Sequence, residues 1–309
     1  MNKKEFFRAF SYSFGRVIIG ACDIGAKIVP LSFLYAFANL LGFIGYKLAL
    51  RHKKIAIDSL TLAFGKEKSA KEIEQICREC FNTMAGAAVE FFMFMRYPER
   101  MRKYVEIEGK EHLDKALAKG KGVVAVSAHF GSFPLLLSRL SLEGYKVNSV
   151  LRRMRDAGLD ELFKKKRDKM KVGSVYTQPR KECVNDSLRV LRNNEVLFVQ
   201  LDQNFGSGGI FVNFFGQKAA TATGPIIFSM RTGAAIVPLF IYRLKDMRHK
   251  IVIEPEIPWE EKATKDESIE NMVQKLTDLI EVYIRKYPHE WGWIHKRWKA
   301  RPKNEAVSS

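Results

Sequence analysis

The chain has 309 residues, 47% of them hydrophobic and 28% charged, a length that suits two small domains or one large one with an appendage, with apolar content enough for a buried core. Lys and Arg number 52 against 34 Asp and Glu; the net charge of +18 points to polyanionic partners, whether nucleic acid, an anionic membrane face, an acidic carrier protein or a phosphorylated substrate. Cys22, Cys77, Cys80 and Cys183 are too few and too scattered for a disulfide framework, which excludes a small secreted scaffold and suits a reducing compartment.

The first 55 residues stand apart. A basic start (Lys3, Lys4, Arg8, Arg16) leads into apolar sequence, and Ile28 to Tyr46 carries no charge before Arg51, His52, Lys53 and Lys54. That run is at the margin of spanning length, while Pro30, Asn39, Gly42 and Gly45 suit an interfacial or shallowly inserted helix equally well. Basic residues at both ends give the positive-inside rule no clear vote. Ile19-Gly20-Ala21-Cys22 resembles a lipoprotein cleavage site, but the apolar run before it begins only at Val17, too short for a secretory signal. Residues 1–54 are expected to form a membrane-anchoring or interfacial segment.

From Ile55 to Arg96 apolar residues recur at helical spacing, and Ser69 with Glu72 forms a capping box at a second start, which predicts a helical hairpin. Cys77 and Cys80 sit within that pattern with no second CxxC or His pair to complete a zinc site, so no metal is expected. After Lys121 the pattern changes to short apolar, β-branched runs: Gly122 to Ala128, Val147 to Leu151, Ser174 to Tyr176, Val196 to Leu201, Ala235 to Tyr242 and Ile251 to Ile253. Helical stretches at Pro134 to Glu143, Ala157 to Met170 and Glu182 to Arg192 separate most of them. The alternation predicts an α/β fold with a largely parallel central sheet flanked by helices. A last amphipathic helix, about Ser268 to Lys286, precedes a polar tail, 300–309, expected to be disordered.

Val123 to Pro134 reads as a buried strand, a polar turn and a helix entered at a proline, which sets His129 at the strand's carboxyl end. Ligands bind at that edge of open α/β sheets, and an imidazole suits base work near neutral pH on a hydroxyl. The alternative is a packed or capping histidine. Gly131 permits close backbone approach, and the helix start at Ser132 offers free N–H groups for an oxyanion or phosphate. Gly206-Ser207-Gly208-Gly209 lacks the Lys-Ser/Thr of a nucleotide loop and reads as a flexible loop beside the groove. Thr221-Ala222-Thr223-Gly224-Pro225 reads as a helix start.

These residues resemble the late acyltransferases of lipid A biosynthesis, membrane-associated relatives of the glycerolipid acyltransferases with an HxxxxD/E signature. The resemblance runs from about residue 15 to 303. It includes Arg51-His52-Lys53-Lys54-Ile55-Ala56, Leu201-Asp202-Gln203-Asn204, Phe211-Val212-Asn213-Phe214-Phe215-Gly216 and Trp291-Gly292-Trp293-Ile294-His295-Lys296-Arg297-Trp298. It implies a glycerolipid acyltransferase-like α/β domain over 55–299, divided into a helical part, 55–120, and an α/β part, 121–299. It also implies a fatty acyl chain moved from acyl carrier protein or acyl-CoA, with no cofactor, to a hydroxyl of a phosphorylated glycolipid at the cytoplasmic face of a bacterial inner membrane. His129 would be the base, backbone amides at Gly131 and Ser132 would steady the oxyanion, and Arg152 with Arg153, Gln203 and Asn204 would bind substrate.

One departure matters: Pro134 stands where the family places its acid, and proline can neither accept a hydrogen bond from the imidazole nor stabilise imidazolium. Either another carboxylate orients His129, or a backbone carbonyl does, or the chain has kept lipid binding without catalysis. Asp202 is the leading substitute, because it ends the Val196 to Leu201 strand on the same sheet edge, although a turn former before Gly206 would look the same. Two clusters carry much of the charge. Lys146 to Lys171 holds ten basic and four acidic residues, and Arg285 to Lys303 seven basic and one acidic. A solvated helix face is the usual explanation of the first, ahead of a specific phosphate or carrier contact. The second, rich in tryptophan, suits a membrane interface better than nucleic acid, for which no recognition module is present. Other membrane acceptors, such as a lysophospholipid, an amino-acid lipid or an inositol mannoside, remain open at this stage.

Overall fold

The structure, a computed structural model, describes residues 31–96 and 98–302, so the expectations for residues 1–30 and for the tail beyond Pro302 lie outside the described residues. Among the described residues three helices come first: α1 (Leu31–Leu48), α2 (Leu50–Phe64) and α3 (Ala70–Arg96). The predicted hairpin is α2 and α3, and its capping box forms, with Ser69 N–H donating to Glu72 Oε2 at 2.8 Å and Glu72 N–H to Ser69 Oγ at 3.3 Å. The described part of the uncharged run, 31–46, lies within α1, and that helix stops at Leu48. The chain bends at Ala49, where α1 and α2 meet at 88°, and among the described residues no single helix is long and apolar enough to cross a membrane.

After α4 (Met101–Tyr104) the α/β part follows: β1 (Val105–Glu108), α5 (Lys110–Leu117), β2 (Val123–Ser127), α6 (Phe133–Leu142), β3 (Val147–Leu151), α7 (Ala157–Lys169), β4 (Gly173–Tyr176), α8 (Arg180–Arg192) and β5 (Val196–Gln200). A β6 (Ile210–Phe214) to β7 (Gln217–Thr221) hairpin, α9 (Gly224–Thr232), β8 (Ala235–Arg243), β9 (His249–Ile253) and α10 (Lys265–Lys286) complete it. The sheet order is β1-β9-β8-β2-β5-β3-β4. From β8 to β4 every pairing is parallel, while β9 runs antiparallel to β8 and parallel to β1.

The central strands are continuous apolar runs because both faces are covered. Val124 and Val126 of β2 join one core layer with α2, α9, α10 and the hairpin. Val123 and Ala125 join the other with α5, α6 and the inner side of α1. The sheet also starts before the expected boundary at 121: β1, Val-Glu-Ile-Glu, pairs with β9 as an edge strand whose alternating charges hide it in the sequence. β5 returns between β2 and β3, and β8 lies on the other side of β2, so the strand order reverses beside β2, the position where open sheets bind ligands.

Candidate active site

The register of β2 against β5 builds the centre of the site. Ser127 pairs with Gln200, so two residues further on His129 and Asp202 face each other above the carboxyl edge. Asp202 Oδ1 lies 2.9 Å from His129 Nδ1, and Asp202 Oδ2 accepts the His129 backbone N–H at 2.9 Å and the Trp291 indole N–H at 2.7 Å. The carboxylate side chain is 1% exposed and the imidazole 25%, so the acid is sealed and the ring is reachable. Burial pushes the Asp202 carboxyl up, but the His129 charge, the two His129 hydrogen bonds and the Trp291 donor outweigh it and hold the group at about 2. An ionised carboxylate only accepts, which assigns the ring proton to Nδ1. Nε2 is left as an acceptor, and it takes the Gln203 side-chain N–H at 3.0 Å.

Pro134 lies on the first turn of α6, where its missing N–H has no partner to lose. The helix start is arranged differently from the sequence expectation. Gly131 has φ +55°, its N–H is spent on Glu290 O at 2.8 Å, and a Cβ there would collide with the Ile241 carbonyl. Its role is therefore close packing against β8, and its amide is not free for an oxyanion. The Ser132 and Phe133 amides make no hydrogen bond among the described residues, and Ser132 Oγ is buried without a partner.

The other expected substrate contacts divide as well. Arg152, following β3, is exposed and has no side-chain partner among the described residues. Arg153 stacks over the Tyr176 ring at 3.8 Å and lies 3.5 Å from Asp160. Asn204 uses its side-chain oxygen to accept the Ala300 N–H at 3.2 Å, which makes it an anchor for the C-terminal segment. On α7 several basic residues pair locally, Lys164 with Asp168 at 2.6 Å and Lys165 with Glu161 at 3.7 Å, as on a solvated helix face. The glycine run forms a short 3-10 turn, Gly206–Gly208, leading into the hairpin. Thr223 holds the N-cap of α9 without a side-chain capping bond.

Sequence reasoning missed the part played by the C-terminal segment. Phe130 and Trp291 form an antiparallel bridge, and Gly292 N–H donates to His129 O at 3.0 Å. Arg297, buried, donates to Ala220 O at 2.6 Å, Thr221 Oγ1 at 2.5 Å and Gln203 O at 3.3 Å, and burial lowers it to about 10 despite the attraction of Asp202. The His295 ring centre lies 5.3 Å from that of His129. Burial, then the charge of His129, lowers its proton affinity. The signal in the sequence was the density of Trp and Arg in a segment otherwise read as surface. Cys77 and Cys80 are buried free thiols, and among the described residues no group of His, Cys, Asp and Glu could hold a metal ion.

Fold and site together define an α/β protein carrying a reachable imidazole backed by a buried carboxylate, the equipment of general-base group transfer to a hydroxyl. The chain belongs to the bacterial lipid A biosynthesis acyltransferase family, whose profile matches residues 4–300, and it is an acyltransferase. It is 26% identical over 287 residues to the lipid A biosynthesis palmitoleoyltransferase of Escherichia coli, covering 90% of this chain and 89% of that one. The lipid A biosynthesis lauroyltransferase of the same species is 24% identical over 279 residues, with 89% and 88% covered. A phosphatidylinositol mannoside acyltransferase of Mycobacterium tuberculosis is 25% identical over 198 residues, with 63% and 60% covered. Among solved structures, the 1-acyl-sn-glycerophosphate acyltransferase of Thermotoga maritima superposes with a TM-score of 0.40 at 12% identity, covering 83% of this chain and 99% of that one.

Proposed function

We propose that this acyltransferase moves a fatty acyl chain from acyl carrier protein or acyl-CoA to a hydroxyl of a lipid A precursor or related phosphorylated glycolipid, at the cytoplasmic face of a bacterial inner membrane. The observation that carries the reading is the His129–Asp202 pair, which supplies the carboxylate that Pro134 removes from the family motif. His129 Nε2 takes the proton of the acceptor hydroxyl as its oxygen bonds to the thioester carbonyl carbon. Asp202 holds the ring and balances the imidazolium. The carbonyl oxygen, now negative, is stabilised by the free amides of Ser132 and Phe133. Collapse reforms the C=O and breaks the C–S bond, and the departing thiolate takes the proton from His129 Nε2, leaving a thiol and an ester. Gln203, on Nε2 in the unliganded site, yields that position to the hydroxyl. Arg152 is free to pair with a substrate phosphate.

Exposed apolar residues support the membrane part of the reading. Phe33, Phe37, Leu40, Ile44 and Leu48 project from one face of α1, and the exposed cations Arg51 and Lys54 follow on α2. The 88° bend suits a helix lying in the interface better than one crossing it. The names of the two Escherichia coli relatives favour a lipid A acceptor, whereas the mycobacterial relative keeps an inositol mannoside as the competing acceptor.

The test is acyl transfer by purified, detergent-solubilised full-length protein, with acyl-carrier-protein or acyl-CoA donors and each acceptor class in turn. His129→Ala is expected to abolish transfer, and the preferred acceptor to be the phosphorylated glycolipid. Activity retained in His129→Ala would sink the mechanism, and lipid copurifying with a wild-type protein that turns over no thioester would mark a lipid binder.

A further inference from the structure

Asp202 Oδ2 is held from two sides, by the His129 backbone N–H at 2.9 Å and by the Trp291 indole N–H at 2.7 Å. The indole itself has little freedom. It is 1% exposed, its ring centre lies 4.6 Å from that of Trp293 and 5.7 Å from that of Phe214, and its carbonyl accepts from Cys80 Sγ at 3.2 Å. Its two neighbours are bonded to the turn that carries the imidazole, through Gly131 N–H to Glu290 O and Gly292 N–H to His129 O. The indole thus touches the carboxylate while the residues on either side of it fasten its segment to the histidine turn.

We infer that Trp291 is a positioning residue for acyl transfer: its indole N–H fixes the plane and the charge of the Asp202 carboxylate, and through it the direction of His129 Nε2. The inference rests on His129 being the base. Without the indole both remaining bonds of the carboxylate run to His129 itself, so acid and ring could shift together, and Nε2 would lose its alignment with the acceptor hydroxyl. Hydrogen bonds to a charged group are the strong ones, so the loss should be felt in the rate. The donor also withdraws charge from the carboxylate. Without it Asp202 would attract the Nδ1–H proton more strongly, the imidazolium would be favoured, and the base would become protonated at higher pH. The other titratable or charged groups facing the dyad are His295, Arg297 and, acting on His295 from α2, His52.

Trp291→Phe keeps an aromatic ring and removes the donor; incorporation of β-(3-benzothienyl)alanine keeps the whole bicycle and serves if the Phe variant does not fold. Steady-state acyl transfer is measured as a function of pH, beside His129→Ala and Asp202→Asn. The expected result is a kcat about ten- to hundredfold lower with both KM values unchanged, and an acidic limb moved to higher pH. In an Asp202→Asn background the same replacement should cost little more. A folded variant with wild-type kcat and an unmoved acidic limb overturns the inference, as does a full additional loss in the Asp202→Asn background. If His129→Ala itself retains activity, the base assignment has failed and the Trp291 result bears on stability alone.

Discussion

At the scale of single residues, the proposed mechanism divides between two side chains the work that the family signature assigns to an HxxxxD/E pair. His129 is reachable and Asp202 is sealed; the sealed carboxylate stays ionised because three donors and the imidazole offset its burial. Because the group is held at about 2, it is charged throughout any ordinary assay range, so a loss of activity on the acidic side of that range is not the titration of Asp202. Pro134→Ala should change kcat only slightly, since the proline ring carries no hydrogen-bonding group, which a direct comparison of rates checks. Arg152→Ala should raise KM for a phosphorylated acceptor with kcat kept, the pattern of lost ground-state binding, and should leave a nonphosphorylated acceptor unaffected. The pairing was legible in outline because both residues end buried strands. That β5 lies directly beside β2 was not, since strand order is set by long-range packing. The Trp291 contact, 89 positions from Asp202, had no local signal.

At the scale of elements, the central strands were readable because burial on both faces leaves unbroken apolar runs, whereas β1 and the β6–β7 hairpin were not. The hairpin turns at Phe215 and Gly216, both with positive φ, where Asn-Gly would be the usual signal. Phe215 accepts φ +54° because its ring packs against Phe64, Trp293 and Trp298, a case of tertiary packing overriding turn chemistry. The length of α10 was underestimated for a simpler reason: a second capping box, Thr264 with Glu267, starts the helix at Lys265, three residues before the expected Ser268. For α1, the outward apolar face predicts that Phe33→Glu combined with Phe37→Glu weakens cosedimentation with anionic vesicles at least tenfold, while leaving transfer to a detergent-dispersed acceptor near wild type. Unchanged vesicle binding would remove α1 from the interface.

Across the whole molecule, a second buried charge cluster ties the helical part to the sheet. Glu90 of α3 accepts from Tyr35 of α1 at 2.9 Å and lies 2.7 Å from Arg243 of β8. His249 Nε2 of β9 is 3.0 Å away, off the hydrogen-bonding direction. Burial alone would raise Glu90, but the His249 and Arg243 charges and the Tyr35 hydroxyl hold it at about 2. A carboxyl lowered by folding adds stability that is complete above its unfolded value, near 4.3, and is lost as pH falls toward the folded value. Asp202 acts in the same direction. Glu290, raised by burial, acts in the opposite one and softens the loss. Thermal unfolding should therefore show a midpoint that drops steeply below about pH 4, and Glu90→Ala, which strands Arg243, should cost about 3–5 kcal/mol at neutral pH while flattening that drop. The +18 charge that opened several partner classes is not spent on this interior. Exposed cations such as Arg152, beside the carboxyl edge, are where the proposed phosphorylated glycolipid or acidic carrier would meet the basic excess.

The central claim, that Asp202 supplies the carboxylate missing at Pro134, is tested most directly by the rate of acyl transfer in Asp202→Asn, with folding verified by thermal unfolding. The account predicts a fall of about 10²–10⁴-fold with the protein still folded; a folded Asp202→Asn enzyme working at the wild-type rate would contradict it.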